Sequence, residues 1–225
     1  MFNWFNWFNC VLKQLPLKTR IQYFYNINNL QLFEHENCYN LLANSIKYDN
    51  ISLVNYAIEQ GADNYNKGLI YAIRHDNFVD FFISLGATNY YESMIEAIYN
   101  NNLRLVKYFV NQYGAKDYNA GLMCAVLNGN DNLMNYFIKQ GARNWNLGYL
   151  GARCRKCVES MNFFIDKGAD KQFECSICLK DIEEEDMKFM DCAHFFHKTC
   201  INDWREISNT CPICRRQINR VYILL

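Results

Sequence analysis

Within nine residues the chain sets Cys192, His194, His197 and Cys200. Small apolar side chains such as Ala or Val would serve a fold that only needed packing. Thiolate and imidazole together suit a transition metal. Two further pairs flank the stretch, Cys175/Cys178 before it and Cys211/Cys214 after it. Two ligands separated by two residues can chelate one ion from a tight turn. Cys175/Cys178, His197/Cys200 and Cys211/Cys214 have that spacing, and Cys192/His194 is tighter. Four chelating pairs supply two tetrahedral sites, each with three thiolates and one imidazole, and with Zn²⁺ each would carry a formal charge of −1. Such donors favour zinc over calcium or magnesium. Cysteines are often just buried small hydrophobes, and that reading suits the isolated Cys10, Cys38 and Cys124. It does not explain eight ligands in this order. A segment this short lacks the apolar area to fold alone, so two Zn²⁺ are expected to supply much of its folding energy.

The ligands read Cys-x-x-Cys, thirteen residues, Cys-x-His-x-x-His-x-x-Cys, ten residues, Cys-Pro-x-Cys. Over residues 174–216 this resembles a RING finger of the two-histidine class, in which three cysteines, two histidines and three cysteines follow in order. A PHD finger has Cys where this chain has His194, and an aromatic residue where it has Asn209. The resemblance implies a cross-braced fold, with Cys175, Cys178, His197 and Cys200 on one zinc and Cys192, His194, Cys211 and Cys214 on the other. It also implies a ubiquitin ligase that docks a ubiquitin-loaded conjugating enzyme. Ile177, Trp204 and Pro212 match the family's apolar docking shelf, and Arg215 matches the basic linchpin that bridges ubiquitin and the conjugating enzyme. Taken singly, Ile177 and Trp204 could be core residues; all four together favour docking. No nucleophile, acid or base is required of this chain, because the thioester belongs to the conjugating enzyme. Arg215, with five donors in a rigid fork, suits bridging two surfaces better than Lys would.

The elements ahead of this segment repeat. Gly-Ala recurs at Gly61, Gly86, Gly114, Gly141 and Gly168, at steps of 25, 28, 27 and 27 residues. A similar apolar block precedes each, and further upstream lie Ala43, Ala72, Ala97, Ala125 and Ala152. Each unit reads as two short amphipathic helices. The Ala suits close packing of the first helix, and the Gly suits the left-handed residue that ends the second. The stretch LVKYFVNQYGAKDYN resembles the second half of an ankyrin repeat, and the resemblance extends over residues 36–171. The period is about 27 rather than about 33, and the Thr-Pro-Leu-His opening is absent. The missing residues fall where the ankyrin β-hairpin finger lies, so trimmed fingers are expected. The expected fold class is mainly α, an ankyrin-like helix-pair solenoid followed by a small two-zinc RING domain. The apolar stripes are read as core, and an unknown protein substrate would meet exposed first helices and turns.

Residues 1–35 do not fit the repeat. Phe2, Trp4, Phe5, Trp7 and Phe8 are expected to cap the solenoid's first unit rather than dip into a membrane interface. The domains are thus 1–35, 36–171 and 172–225. The chain has 225 residues, 51% hydrophobic and 16% aromatic, enough for a substantial core. Its 23 basic and 23 acidic residues balance, so the basic footprint of a nucleic-acid binder is missing. No run approaches the roughly 18 apolar residues of a membrane span, and the N-terminus is a poor secretory signal. The expected location is intracellular, cytoplasmic or nuclear, or a host cell if the source is viral. Asn is abundant, about 30 residues, which hints at an AT-rich genome. Cys154 and Cys157 form a further Cys-x-x-Cys without a partner pair nearby and read as structural thiols. Only Asp170 to Glu174 separate Gly168-Ala169 from Cys175. The RING is therefore expected to dock where a sixth repeat would begin, with Phe173 at the seam. The expected function is that of a RING-type ubiquitin ligase; the alternative is a non-catalytic adaptor whose RING pairs with another RING or sequesters conjugating enzymes.

Overall fold

A computed structural model describes residues 13–21, 33, 37–170 and 172–223. The expected N-terminal aromatic cap, Phe2 to Phe8, lies outside them. Between residues 38 and 166 run five helix pairs: α1 (Cys38–Lys47) with α2 (Ile51–Glu59), α3 (Tyr65–His75) with α4 (Val79–Ser84), α5 (Tyr90–Tyr99) with α6 (Leu103–Tyr113), α7 (Tyr118–Leu127) with α8 (Asp131–Gln140), and α9 (Trp145–Cys154) with α10 (Val158–Asp166). The chain forms two compact units, Met1–Ser93 and Met94–Leu225, dividing within α5. No described helix is long and apolar enough to cross a membrane.

Local chemistry explains the helix ends. The side chains of Asn50, Asn64, Asn102, Asp117, Asn130 and Asn144 each accept a backbone N–H in the first turn of the helix that follows. This satisfies donors that have no intrahelical partner. Gly114 and Gly141 end α6 and α8 in the left-handed region, at φ +68° and +108°, where a Cβ would be strained. Ala72, Ala97, Ala125 and Ala152 are fully buried.

A second small residue governs how the two helices of a pair meet. A Cβ on Gly68 would lie 2.3 Å from Phe82 Cε1, one on Gly121 2.4 Å from Phe137 Cε1, and one on Gly148 2.3 Å from Phe164 Cε1. Each Phe ring thus sits directly on the first helix, in the space where a side chain would otherwise be. All three rings are fully buried. By register the α1–α2 pair has the sizes reversed, with Leu41 at the Gly position and Ala57 at the Phe position.

Neighbouring pairs are tied by asparagine. In the first unit Asn66 Oδ1 accepts the N–H groups of Thr88 and Asn89, at 2.7 and 3.3 Å. In the second, Asn119 Oδ1 accepts those of Arg143 and Asn144, at 2.9 and 3.0 Å, and Asn146 Oδ1 accepts that of Asp170 at 2.9 Å. These bonds hold the turns after Gly-Ala, and among residues 37–170 no strand is formed there.

Residues 172–223 fold around a three-stranded antiparallel sheet. β1 (Met187–Met190) lies centrally, between β2 (Phe195–His197) and β3 (Val221–Ile223). Met187 pairs with His197, and Phe189 with both Phe195 and Tyr222. Helix α11 (Lys198–Ile207) follows β2 directly. Phe189, Phe196 and Ile201 are fully buried. Phe173 packs edge-on against Phe195, centroids 5.1 Å apart, so it belongs to this small core rather than to a seam.

This segment lies in the second unit and makes polar contacts along α5 and α7. Arg220 pairs with the buried Glu96 at 2.9 Å and its guanidinium carbon lies 4.0 Å from the Tyr99 ring centroid. Asp191 Oδ1 accepts hydrogen bonds from the hydroxyls of Tyr99 (2.9 Å) and Tyr222 (2.7 Å), which also touch each other. Cys124 Sγ points at the Asp191 carbonyl, and Arg216 pairs with Asp117 at 2.8 Å. The expectation of a RING seated where a sixth repeat would start is therefore corrected: the seam runs along the first helices of the third and fourth pairs. Val158 and Ile165 of α10 stay exposed. A linker's length limits reach; the direction of docking is decided by charge and hydroxyl partners far away in sequence.

Candidate metal centre

Each Cys-x-x-Cys ligand pair stands on a tight knuckle. In the first, the Cys175 amide donates to the Lys180 carbonyl (2.9 Å) and Leu179 donates back to Cys175 (2.7 Å). In the second, Cys211 donates to Arg216 (2.8 Å) and Arg215 to Cys211 (2.9 Å). Leu179 and Arg215 hold the same left-handed position, at φ +59° and +62°. The other ligands come from the β1–β2 hairpin and the start of α11. Its turn puts Ala193 at φ +61°, with Met190 accepting from Ala193 and donating to His194. Cys192 and His194 are thereby set in that turn, while His197 and Cys200 sit at the end of β2 and in the first turn of α11.

The donors gather into two groups, Cys175/Cys178/His197/Cys200 and Cys192/His194/Cys211/Cys214, with the ligand atoms of each all within 4.8 Å of one another. The pairs alternate along the chain, first with third and second with fourth. His197 Nδ1 lies 3.2 Å from Cys178 Sγ and 4.0 Å from Cys200 Sγ; His194 Nδ1 lies 3.4 Å from Cys211 Sγ. Bond lengths of about 2.3 Å to sulfur and about 2.0 Å to nitrogen give tetrahedral edges of roughly 3.5–3.8 Å, so the donor sets fit zinc. His197 Nε2 is 3.0 Å from the Asp181 carbonyl. As the donor there, it leaves Nδ1 unprotonated towards the sulfurs, the orienting contact expected behind a metal-bound histidine.

Electrostatics points the same way. In the second group a hydrogen bond from Cys192, against the effect of burial, holds the Cys211 thiol down at about 3, while Cys192 itself is pushed up. In the first, burial pushes the Cys175 thiol up, but the amides of His197, Cys178 and Ile177 outweigh it and leave it at about 6. Burial and the neighbouring thiols raise Cys200 to about 11. Cys175 and Cys211 are thus favoured as thiolates, while Cys200, Cys192 and Cys214 are held towards their protonated forms. A divalent cation relieves that conflict and lets all of them ionise.

The remaining predicted residues surround these groups. Ile177 lies between the first knuckle's ligands and is 38% exposed; Leu179 and Ile213, which carry no signal in the sequence, are 73% and 45% exposed. Pro212 is half-buried. Trp204 on α11 donates its indole N–H to the Thr210 carbonyl at 2.7 Å, and the Arg215 guanidinium lies 5.5 Å from its ring centroid. Cys154 and Cys157 lie outside both groups; Cys157 Sγ lies 3.2 Å from Ser160 Oγ.

Comparison with known proteins locates a Ring finger domain at residues 173–215. The human E3 ubiquitin-protein ligase RNF115 is 43% identical over 51 residues, 22% of this chain and 17% of that protein. The rat E3 ubiquitin-protein ligase RNF181 is 30% identical over 79 residues, 35% of this chain and 48% of that protein. The RING-H2 finger protein ATL30 of Arabidopsis thaliana is 45% identical over 49 residues, 20% and 17%. The chain thus spans less than half the length of these relatives. No solved structure matches it.

Proposed function

Because residues 173–215 are a RING finger domain, we propose that this protein is a RING-type ubiquitin ligase. It recruits a ubiquitin-loaded conjugating enzyme and directs transfer to a target held by the ankyrin-like helix pairs. The observation that carries the reading is the apolar display on the two knuckles. Ile177 and Ile213 stand exposed between ligand positions, and Leu179 stands exposed beside them. A purely structural zinc knuckle has no use for such side chains in water, whereas a docking surface does. The relatives named as ubiquitin-protein ligases support the same reading.

Zinc held by the two ligand groups would supply structure, keeping the knuckles in register. Ile177, Trp204 and Pro212 form the shelf for the conjugating enzyme. Arg215, on the left-handed residue after Cys214, bridges to the ubiquitin. The target's lysine amine then attacks the thioester carbonyl on the conjugating enzyme, whose cysteine thiolate leaves. The ligase contributes by shifting the loaded enzyme towards its reactive arrangement and by proximity.

A reconstituted assay with purified protein, activating enzyme, ubiquitin and a panel of conjugating enzymes tests this. Ubiquitin chains should form with at least one of them and fall away in Ile177→Ala. Failure with every conjugating enzyme, in protein that holds its zinc, would leave the adaptor reading.

A further inference from the structure

The seam along α5 and α7 grips the RING beside one metal group in particular. Asp191, which accepts from Tyr99 and receives the Cys124 thiol at its carbonyl, immediately precedes Cys192. Arg216, paired with Asp117, lies two residues after Cys214 and next to Arg215. Tyr222 stacks on Phe189 of β1, centroids 5.1 Å apart, while its hydroxyl shares Asp191 with Tyr99. Arg220 extends the grip to the buried Glu96. Both chain segments that carry the second ligand group are therefore held from the repeat side.

The RING segment has its own core in Phe189, Phe196 and Ile201 and would gain further folding energy from bound metal. In the helix pairs, the helix cap at residue 117 uses one acceptor oxygen. Asp117 Oδ1 already caps α7 through the Ala120 amide, and only Oδ2 faces Arg216. The pairing makes sense as a joint between the two. Two ion pairs and a shared carboxylate at separate points fix orientation as well as contact, which a single apolar patch would not.

We propose that Glu96, Tyr99 and Asp117 are positioning residues for the RING, clamping it in one orientation on the repeats so that ubiquitin is delivered to a restricted set of lysines. The clamp stands on the geometry alone; its effect on delivery rests on the ligase reading above. The clamp acts through Asp191, Arg216 and Arg220 and touches neither the conjugating enzyme nor the thioester.

The test opens the clamp conservatively in the full-length, zinc-loaded chain with Glu96→Gln/Tyr99→Phe/Asp117→Asn. Asn at 117 preserves the helix cap, and the other two changes keep shape. Backbone ¹⁵N relaxation reads the clamp without any activity. In the parent the RING amides should tumble with those of α5 to α10; in the triple variant they should tumble severalfold faster. Independent tumbling in the parent overturns the proposal. Delivery is read by mass-spectrometric mapping of self-modified lysines at low protein concentration, beside discharge of the loaded conjugating enzyme onto free lysine. The triple variant should keep its discharge rate within about twofold and modify several lysines that the parent leaves untouched. The charge swap Glu96→Arg/Arg220→Glu, which rebuilds one pair, should modify the parent's set. An unchanged lysine set in a variant whose RING tumbles freely overturns the positioning role. A parent that tumbles as one body yet discharges no conjugating enzyme refutes the ligase reading and leaves the clamp standing.

Discussion

Gly121→Ala is the sharpest probe of how the helix pairs are built. Alanine is the better helix former by about 1 kcal/mol, so propensity alone predicts a stabilised α7. The structure predicts the reverse. The new Cβ would lie 2.4, 2.6 and 2.8 Å from three carbons of the Phe137 ring. Carbon pairs sit comfortably at about 3.5–4.0 Å, so a fully buried ring must retreat by about 1 Å or α7 must move away. The helix is buried along the whole run from Ala120 to Val126, which closes the second route. Overpacking of this kind costs about 1–3 kcal/mol. At the upper end, less the propensity gain, the net loss is about 2 kcal/mol, or roughly 4–8 °C in Tm for a chain of this length. Thermal unfolding followed by circular dichroism measures it. The Phe137→Leu background should absorb part of the loss, because a smaller side chain gives way. A higher Tm for Gly121→Ala, or losses that simply add in the double variant, would show that Phe137 is not seated on residue 121.

Metal analysis of the purified chain should give two zinc ions. Zinc uptake should release protons, because Cys200, raised to about 11, and Cys192, also raised, must ionise to bind; affinity therefore falls as pH falls, and a pH-independent affinity would sink the thiolate assignment. Ile177→Ala should keep both ions and the parent's Tm while transfer falls by about 5- to 150-fold, the equivalent of about 1–3 kcal/mol of docking area. Trp204→Ala is a less clean probe, since it also removes the hydrogen bond to Thr210 beside Cys211, and it should lower zinc affinity as well as transfer. Arg215→Ala should bind the conjugating enzyme nearly normally, by calorimetry, and discharge it slowly.

The eight ligands were legible because chelation imposes short, fixed spacings, and eight scarce residue types in order leave little room for chance; which four share an ion came only from the family resemblance. The helix pairs were legible through the left-handed Gly that ends a helix, as at Gly114 and Gly141. The glycines inside the first helices were not. Gly121 in a helical stretch reads as a weak point, and only its Phe137 partner, sixteen residues on, reveals that it makes room. Asparagine reads as a mark of base composition, yet much of it caps helices, and Asn66, Asn119 and Asn146 hold turns of the neighbouring pair. The seam was invisible for a plainer reason. Glu96 and Arg220 are 124 residues apart and Asp117 and Arg216 are 99 apart, and nothing in their types marks them out.

The seam bears on how binding partners of this protein should be sought. A common bait for a ligase's targets is a chain without its RING, so that whatever is captured is not consumed. Here that truncation would strip the cover from Glu96, Tyr99, Asp117 and Cys124. It would present to an extract a face with two acidic groups and a tyrosine that the intact chain keeps against itself. Proteins retained by such a bait would include basic ones drawn to the bared carboxylates, which the intact chain does not present. Disrupting the zinc ligands would do the same by unfolding the cover. A bait silenced at Ile177, with the seam closed, would show an extract only the surfaces that the working protein shows.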